Sequence, residues 1–201
     1  MLALLIALNS ALAADPGDYS AGPRLVLRGN FENLEDPAIV TYYGSGARMG
    51  SLGLVLPIWH RLSIDVEAGY ARLPAKTASE ALSMRLVPLS APLQWNFGDP
   101  DGVSPYVGVG PSFTTFSETH PRDEQGYAVT SGARLGAEAR LGLRADLGLV
   151  EPPMPPAKAG PVKGVELEVY IGRRFALPSG DDSTGLSFGA WRGSVGLGFK
   201  L

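Results

Sequence analysis

GYAVTSGARLGAEARLGLRADLGLV, residues 126–150, alternates without a slip. From Tyr127 the odd positions carry only Tyr, Val, Ser, Ala or Leu. From Thr130 to Gly148 the even ones are Thr130, Gly132, Arg134, Gly136, Glu138, Arg140, Gly142, Arg144, Asp146 and Gly148. Successive side chains of a strand point to opposite faces, so every charge here falls on one face and every aliphatic on the other. A two-residue hairpin turn in the middle would flip the parity, and the parity holds. One long strand is therefore the preferred reading, with a hairpin on an odd-numbered loop as the alternative. At about 3.4 Å per residue a single strand would run roughly 80 Å. A tilted strand needs only about 9–11 residues to cross a bilayer, so part of this one must project into water or bend at its glycines.

The same period recurs through the chain. Leu62, Ile64, Val66, Ala68 and Tyr70 oppose Arg61, Ser63, Asp65, Glu67 and Gly69. Val165, Leu167, Val169 and Ile171 oppose Glu166, Glu168, Tyr170 and Gly172. Val107, Val109 and Phe113 oppose Tyr106, Gly108, Gly110, Ser112 and Thr114, while Leu25, Leu27 and Phe31 oppose Arg24, Arg28, Asn30 and Glu32. Residues 81–97 read with one phase change, from Leu82, Met84 and Leu86 to Leu89, Leu93, Trp95 and Phe97, and a bulge at Pro88 is the expected cause. Eight strands result, near 23–33, 46–57, 61–73, 81–97, 104–117, 127–149, 164–176 and 186–200. Splitting 126–150 and adding a strand near 37–43 gives ten, the alternative even count.

Two closed or layered all-β folds fit this alternation. In a soluble β-sandwich the polar face would be solvated. Here that face mixes both charge signs with glycine, which covers a solvated sheet poorly. An eight-stranded barrel has an interior just wide enough for side chains, where glycine makes room for long arginines and buried charges neutralise one another. The favoured fold is therefore a closed antiparallel transmembrane β-barrel. Its interior network is expected to hold Arg24, Arg28, Asp65, Glu67, Arg85, Arg134, Glu138, Arg140, Arg144, Asp146, Glu166, Glu168 and Arg192. Trp59, Tyr70, Trp95, Phe97, Phe113, Trp191 and Phe199 are expected at the bilayer interfaces, with Phe31, Tyr42, Tyr43, Phe116, Tyr127 and Phe175 at or above the outer rim. Outer loops fall at 34–45, 74–80, 118–126 and 177–185. Inner turns fall near His60, at 98–103 and, long and proline-rich, at 150–163.

The 201 residues suffice for one domain, and 17 basic against 20 acidic residues leave no basic footprint for nucleic acid. The absence of cysteine excludes disulfides, thiolate metal sites and a cysteine nucleophile. MLALLIALNSALA, residues 1–13, has the apolar run and small-residue end of a secretory signal, though no Lys or Arg precedes the run. The expected division is a signal peptide at 1–13, a linker at 14–21 and the barrel at 22–201. A buried N-terminal helix is the alternative for the first segment. No later segment is apolar for the ~20 residues that a spanning helix needs.

SPYVGVGPSF (104–113), GARLGAEARLGLRAD (132–146) and the terminal GSVGLGFKL together resemble the small Gram-negative outer-membrane β-barrels of the OmpA/OmpX transmembrane type, over roughly residues 22–201. That resemblance implies the bacterial outer membrane as location, with outer-membrane lipid and lipopolysaccharide as surroundings. It also implies a C-terminal assembly signal for the barrel-assembly machinery, carried here by Val195, Leu197, Phe199 and Leu201, with Leu201 in place of the usual terminal aromatic. A monomer is expected.

Chemistry-bearing motifs are few. His60, in IWHRL, reads as a turn residue rather than a base. His120, near Ser117, Glu118, Asp123 and Glu124, is the one base a lipid-hydrolysing barrel would have, but a loop histidine before Pro121 suits strand-held catalysis poorly. No catalytic, metal or cofactor site is expected. A structural or surface-interaction barrel is the first functional reading, a porin-like transport barrel the second, and a lipid-modifying enzyme the third.

Overall fold

The computed structural model describes residues 22–76, 82–98, 102–122, 126–150, 164–177 and 186–201. The segments read as signal peptide and linker, 1–13 and 14–21, lie outside the described residues, as does most of the proline-rich 150–163 connection. The strands are β1 (Arg24–Leu34), β2 (Gly46–Trp59), β3 (Leu62–Pro74), β4 (Ser83–Ser90), β5 (Leu93–Asn96), β6 (Val103–Arg122), β7 (Gly126–Asp146), β8 (Gly164–Ala176) and β9 (Ala190–Lys200). Each pairs antiparallel with its neighbours, and β1 pairs with both β2 and β9, which closes the sheet on itself. The end where β1 starts and β9 finishes is the inner end; the opposite end is the outer mouth. No described helix is long and apolar enough to cross a membrane.

Nine strands make eight staves, because β4 and β5 are two halves of one. Ala68 pairs with Leu89 and Ile64 with Leu93, in a single register against β3. Against β6 the register is equally continuous, Leu89 with Phe113 and Leu93 with Val109. The interruption falls at Ala91–Pro92, where Pro92 has no N–H to give the ladder but its carbonyl still accepts from Asp65 N at 3.0 Å. The bulge expected at Pro88 is therefore absent, and so is the phase change. Met84 and Leu86 continue the inward face of Gln94 and Asn96, while Arg85 points outward with Val87 and Leu89. A register irregularity does occur between Pro57 and Trp59, beside the tight turn at His60, whose φ of 39° lies in the left-handed region.

Residues 126–146 are one strand, as preferred from parity, and Leu147–Val150 form a single 3-10 turn at its inner end. β7 pairs with β6 along its length, from Gly126 opposite Arg122 to Ala145 opposite Val103. With β8 it pairs only from Gly136 to Asp146. The upper part of β7, residues 126–135, thus has β6 as its one described strand partner. Because β4 ends with Ser83 opposite Thr119, only the pairs from His120 with Ala128 to Arg122 with Gly126 rise above β4, as a short two-stranded arm. The loop expected at 118–126 is accordingly mostly strand.

Residues 34–45 are neither plain loop nor a further strand. Asp36 caps a short helix, α1 (Pro37–Tyr43), its Oδ1 accepting from Ala38 N at 2.9 Å and Ile39 N at 3.1 Å. Pro37 supplies the preset first-turn φ, and Gly44, at φ 93°, ends the helix. Ile39 and Tyr43, four apart on one face, turn into the mouth. There they join Leu34, Met49, Leu73, Met84, Leu86, Phe116 and Phe188 in a buried apolar plug, with the Phe116 and Phe188 rings 5.1 Å apart. Tyr43 and Phe116, expected at the outer rim, are interior for this reason.

Candidate functional site

Below the plug the lumen is ionic. Arg28, from β1, meets Asp65 at 2.7 Å, Glu168 at 3.1 Å and Glu67 at 3.2 Å. Arg140, from the far wall, meets Glu138 at 2.6 Å, Glu67 at 2.7 Å and Asp65 at 2.9 Å. Arg192 joins Glu32 at 2.8 Å to Glu67 at 3.1 Å and reaches Glu138 at 3.5 Å. Arg174 pairs with Glu32, Arg144 with Glu168, and Arg24 with Glu166. Lys200 closes the inner end on Asp146 and Glu166. Among the described residues the ion-paired set thus holds seven cations, Arg24, Arg28, Arg140, Arg144, Arg174, Arg192 and Lys200. Facing them are seven carboxylates, Glu32, Asp65, Glu67, Glu138, Asp146, Glu166 and Glu168. The charges balance, as desolvated ions require.

Neutral groups complete the network. Tyr106 donates to Glu168 at 2.8 Å and lies under the Arg144 guanidinium, 4.1 Å from its ring centre. Arg192 donates to the Tyr170 hydroxyl at 2.9 Å, and Arg140 stands over the Tyr170 ring. Gln94 and Asn96 accept from Arg144, and Ser90 from Arg140. Two inward glycines make this packing possible. A Cβ on Gly142 would sit 2.4 Å from the Tyr106 ring, and one on Gly53 would sit 2.2 Å from Arg28 Nη1.

Eleven of the thirteen residues read as interior from the sequence are in this network. Arg85 is outside the barrel, because β4 keeps the parity that the proposed phase change would have inverted. Arg134 sits half-buried above the network, at the mouth, where its Nε donates to Leu186 O at 2.9 Å. Glu32, Arg174 and Lys200 belong to the network in addition to those expected. Each continues an inward parity already visible within the strands expected from sequence, Glu32 after Arg28, Arg174 after Glu168 and Lys200 after Arg192, so following that parity to the end of each strand finds them.

The outward face is apolar. Leu52, Leu27, Leu197 and Leu167 lie side by side in register across β2, β1, β9 and β8, and Leu27 is 52% exposed. Trp59 and Trp95 lie exposed toward the inner end, with Phe97 and Phe199 part-exposed there. Tyr70 and Trp191 lie exposed toward the outer end, as do Phe31, Tyr42 and Phe175, with Phe113 half-buried between the two levels. Val195, Leu197, Phe199 and Leu201 share this outward face on β9 and its end. Above the membrane wall, Tyr43 donates to Glu118, and burial, together with that carboxylate, raises the phenol above its ordinary value. A cleft of about 440 Å³ opens between Tyr43, Tyr42, Ile39, Phe116 and Leu186. His60 is exposed in the inner turn with its ring 5.0 Å from Trp59, and His120 lies on β6 opposite Ala128, its side chain outside those described. Among the described residues no cluster of His, Asp and Glu is arranged to hold a metal.

A closed eight-staved antiparallel barrel, with its charges paired inside and an aliphatic belt outside, is a transmembrane β-barrel of the bacterial outer-membrane class. No family model and no curated protein matches the chain. Solved structures do. Neisserial surface protein A is 16% identical with a TM-score of 0.61, the match covering 90% of this chain and 97% of that one. The outer membrane protein OprG of Pseudomonas aeruginosa is 14% identical with a TM-score of 0.55, covering 92% and 98%. Ail, the attachment invasion locus protein of Yersinia pestis, is 12% identical with a TM-score of 0.52, covering 90% and 99%. At these identities the likeness is one of fold, and it is the fold of small outer-membrane barrels.

Proposed function

We propose that this barrel is a non-conducting outer-membrane scaffold whose working parts are its outer surfaces: the β6–β7 arm, the mouth around α1 and the lipid-facing wall. One observation carries the reading. Among the described residues the lumen is filled by mutually neutralised ion pairs and the outer mouth by an apolar plug, an arrangement that opposes passage of a polar solute. Opening a polar path would leave several ionic groups without partners, each break costing about 3–5 kcal/mol. The lipid-hydrolase alternative would rest on His120, whose side chain lies outside those described, and His60 is exposed in the inner turn. The fold also serves a neisserial surface protein and an attachment invasion locus protein, which suits a surface role. The outward Val195–Leu201 edge is proposed as the segment that the barrel-assembly machinery reads, and the chain is proposed to act as a monomer.

Planar-bilayer recording tests the central point. The refolded full chain is expected to insert without discrete conductance steps. Reproducible steps of one size would overturn the reading and favour small-solute transport.

A further inference from the structure

Three arginines stand side by side on the outside of the barrel. The β2–β3 ladder ends at its outer end on the pair Met49–Ala71, and Arg48 and Arg72 are the next residues outward on the two strands. Arg72 is in turn the direct partner of Arg85 on β4. All three are exposed and point away from the lumen. With adjacent strands about 4.8 Å apart, the row spans roughly 10 Å. Like charges directly opposite one another across strands are destabilising. None of the three has a hydrogen bond, ion pair or ring contact among the described residues.

Their height on the wall is informative. Below Arg48 the outward face of β2 runs Gly50, Leu52, Leu54, Leu56 and Ile58. Below Arg72 on β3 come Tyr70, Ala68, Val66, Ile64 and Leu62, and below Arg85 come Val87, Leu89, Leu93 and Trp95. Each arginine caps an aliphatic column at its outer end, and the three columns carry no acidic residue. Another outward arginine shows the contrast. Arg173 on β8 has its own carboxylate, Glu35 at 2.9 Å, and stacks on Trp191 and Phe175.

We infer that Arg48, Arg72 and Arg85 form a binding row for a multiply phosphorylated lipid headgroup of the outer leaflet, the chemistry of lipopolysaccharide, whose acyl chains lie along the columns beneath. Guanidinium groups grip phosphate through paired N–H donors, and a row of three suits a ligand with more than one phosphate. A phosphorylated lipid satisfies both halves of the surface at once, charge above and hydrocarbon below. The inference rests on the outer-membrane reading of the barrel and adds to it a specific lipid site.

The test uses the full chain refolded in detergent micelles. Binding of diphosphorylated lipid A is compared with that of the same lipid stripped of its phosphates, for the wild type, for Arg72→Gln and for the triple variant Arg48→Gln, Arg72→Gln, Arg85→Gln. Each juxtaposed arginine contributes about fivefold at a charged lipid surface, the equivalent of about 1 kcal/mol. The central substitution is therefore expected to weaken binding of the phosphorylated lipid about fivefold. The triple variant should weaken it on the order of a hundredfold or more, with neither variant affecting the stripped lipid. Equal binding of the two lipids by the wild type, or undiminished binding by the triple variant, would overturn the inference. Full competition by inorganic pyrophosphate at equal concentration would also overturn it, by pointing to a soluble anion. Heat-modifiable gel migration, scored in parallel, separates this failure from that of the barrel reading. A wild type that never shows the shift loses the barrel itself, whereas a folded protein indifferent to lipid phosphate loses only the arginine row.

Discussion

Replacing Glu67 by Gln removes one negative charge from the centre of the lumen and changes almost no volume. Glu67 is shared by three guanidinium groups, from Arg140 at 2.7 Å, Arg192 at 3.1 Å and Arg28 at 3.2 Å. After the substitution seven cations face six carboxylates. At an effective dielectric of about 20, an ion pair at about 4 Å separation is worth roughly 4 kcal/mol. The arginines keep Asp65, Glu138, Glu32 and Glu168, and the amide still accepts one hydrogen bond, so the three lost contacts do not add. The net loss expected is about 3–5 kcal/mol, the usual cost of breaking a buried ionic arrangement from one side. That is a large part of the roughly 5–15 kcal/mol that holds an ordinary domain folded. Urea unfolding in micelles, followed by heat-modifiable migration and β-type circular dichroism, measures it. Arg192→Gln added to Glu67→Gln restores neutrality, and the double variant should lose less than the sum of the singles by about 0.5–3 kcal/mol. A loss below about 1 kcal/mol for Glu67→Gln, or strict additivity in the double, would refute a dry, mutually neutralised lumen and mean that water screens these charges.

Leu27→Arg tests the assignment of sides: an arginine on the lipid face near the belt's middle is expected to cost about 2–4 kcal/mol in a bilayer, and an unchanged unfolding midpoint in lipid would place that face elsewhere. Tyr43→Phe tests the mouth. Because the folded phenol titrates above its ordinary value near 10, its contribution is fully present below pH 10 and is lost as pH rises through the higher folded value. The wild type should therefore exceed the variant by about 1.5–3 kcal/mol at pH 8, as expected for a hydrogen bond to a charged group, with the gap narrowing only in strong alkali. A gap that does not change with alkali would assign the effect to packing alone.

Much of this architecture is readable from parity. Period two from Arg24 to Glu32, Arg61 to Tyr70, Val165 to Gly172 and Tyr127 to Asp146 separates two faces, and mixed charge with glycine on one face marks it as an enclosed interior. The parity of 126–146 also shows one strand where its length invites two. Parity is less informative at the outer mouth, because there the lumen itself turns apolar. On sequence alone Leu82, Met84 and Leu86 group outward with the other aliphatics, although the plug under α1 gives Met84 and Leu86 an interior to fill. Arg85 groups inward on sequence for the complementary reason. Asp36-Pro37 with Gly44 carries a helix signal, but seven residues make a stable helix only when Ile39 and Tyr43 have a surface to bury against.

The linear chain by itself settles which residues share a face, because side-chain direction along a strand alternates through local backbone geometry alone. It also settles that the ionic face must be enclosed and balanced, since so many charges beside glycine have no other stable place. Only closure of the barrel decides which arginine meets which carboxylate. Asp65 and Arg140 lie 75 positions apart and touch across the lumen because β3 and β7 stand on facing walls. The row of Arg48, Arg72 and Arg85 is likewise a product of register. Three unremarkable arginines on separate strands become neighbours only when the ladders fix how far each strand slides past the next.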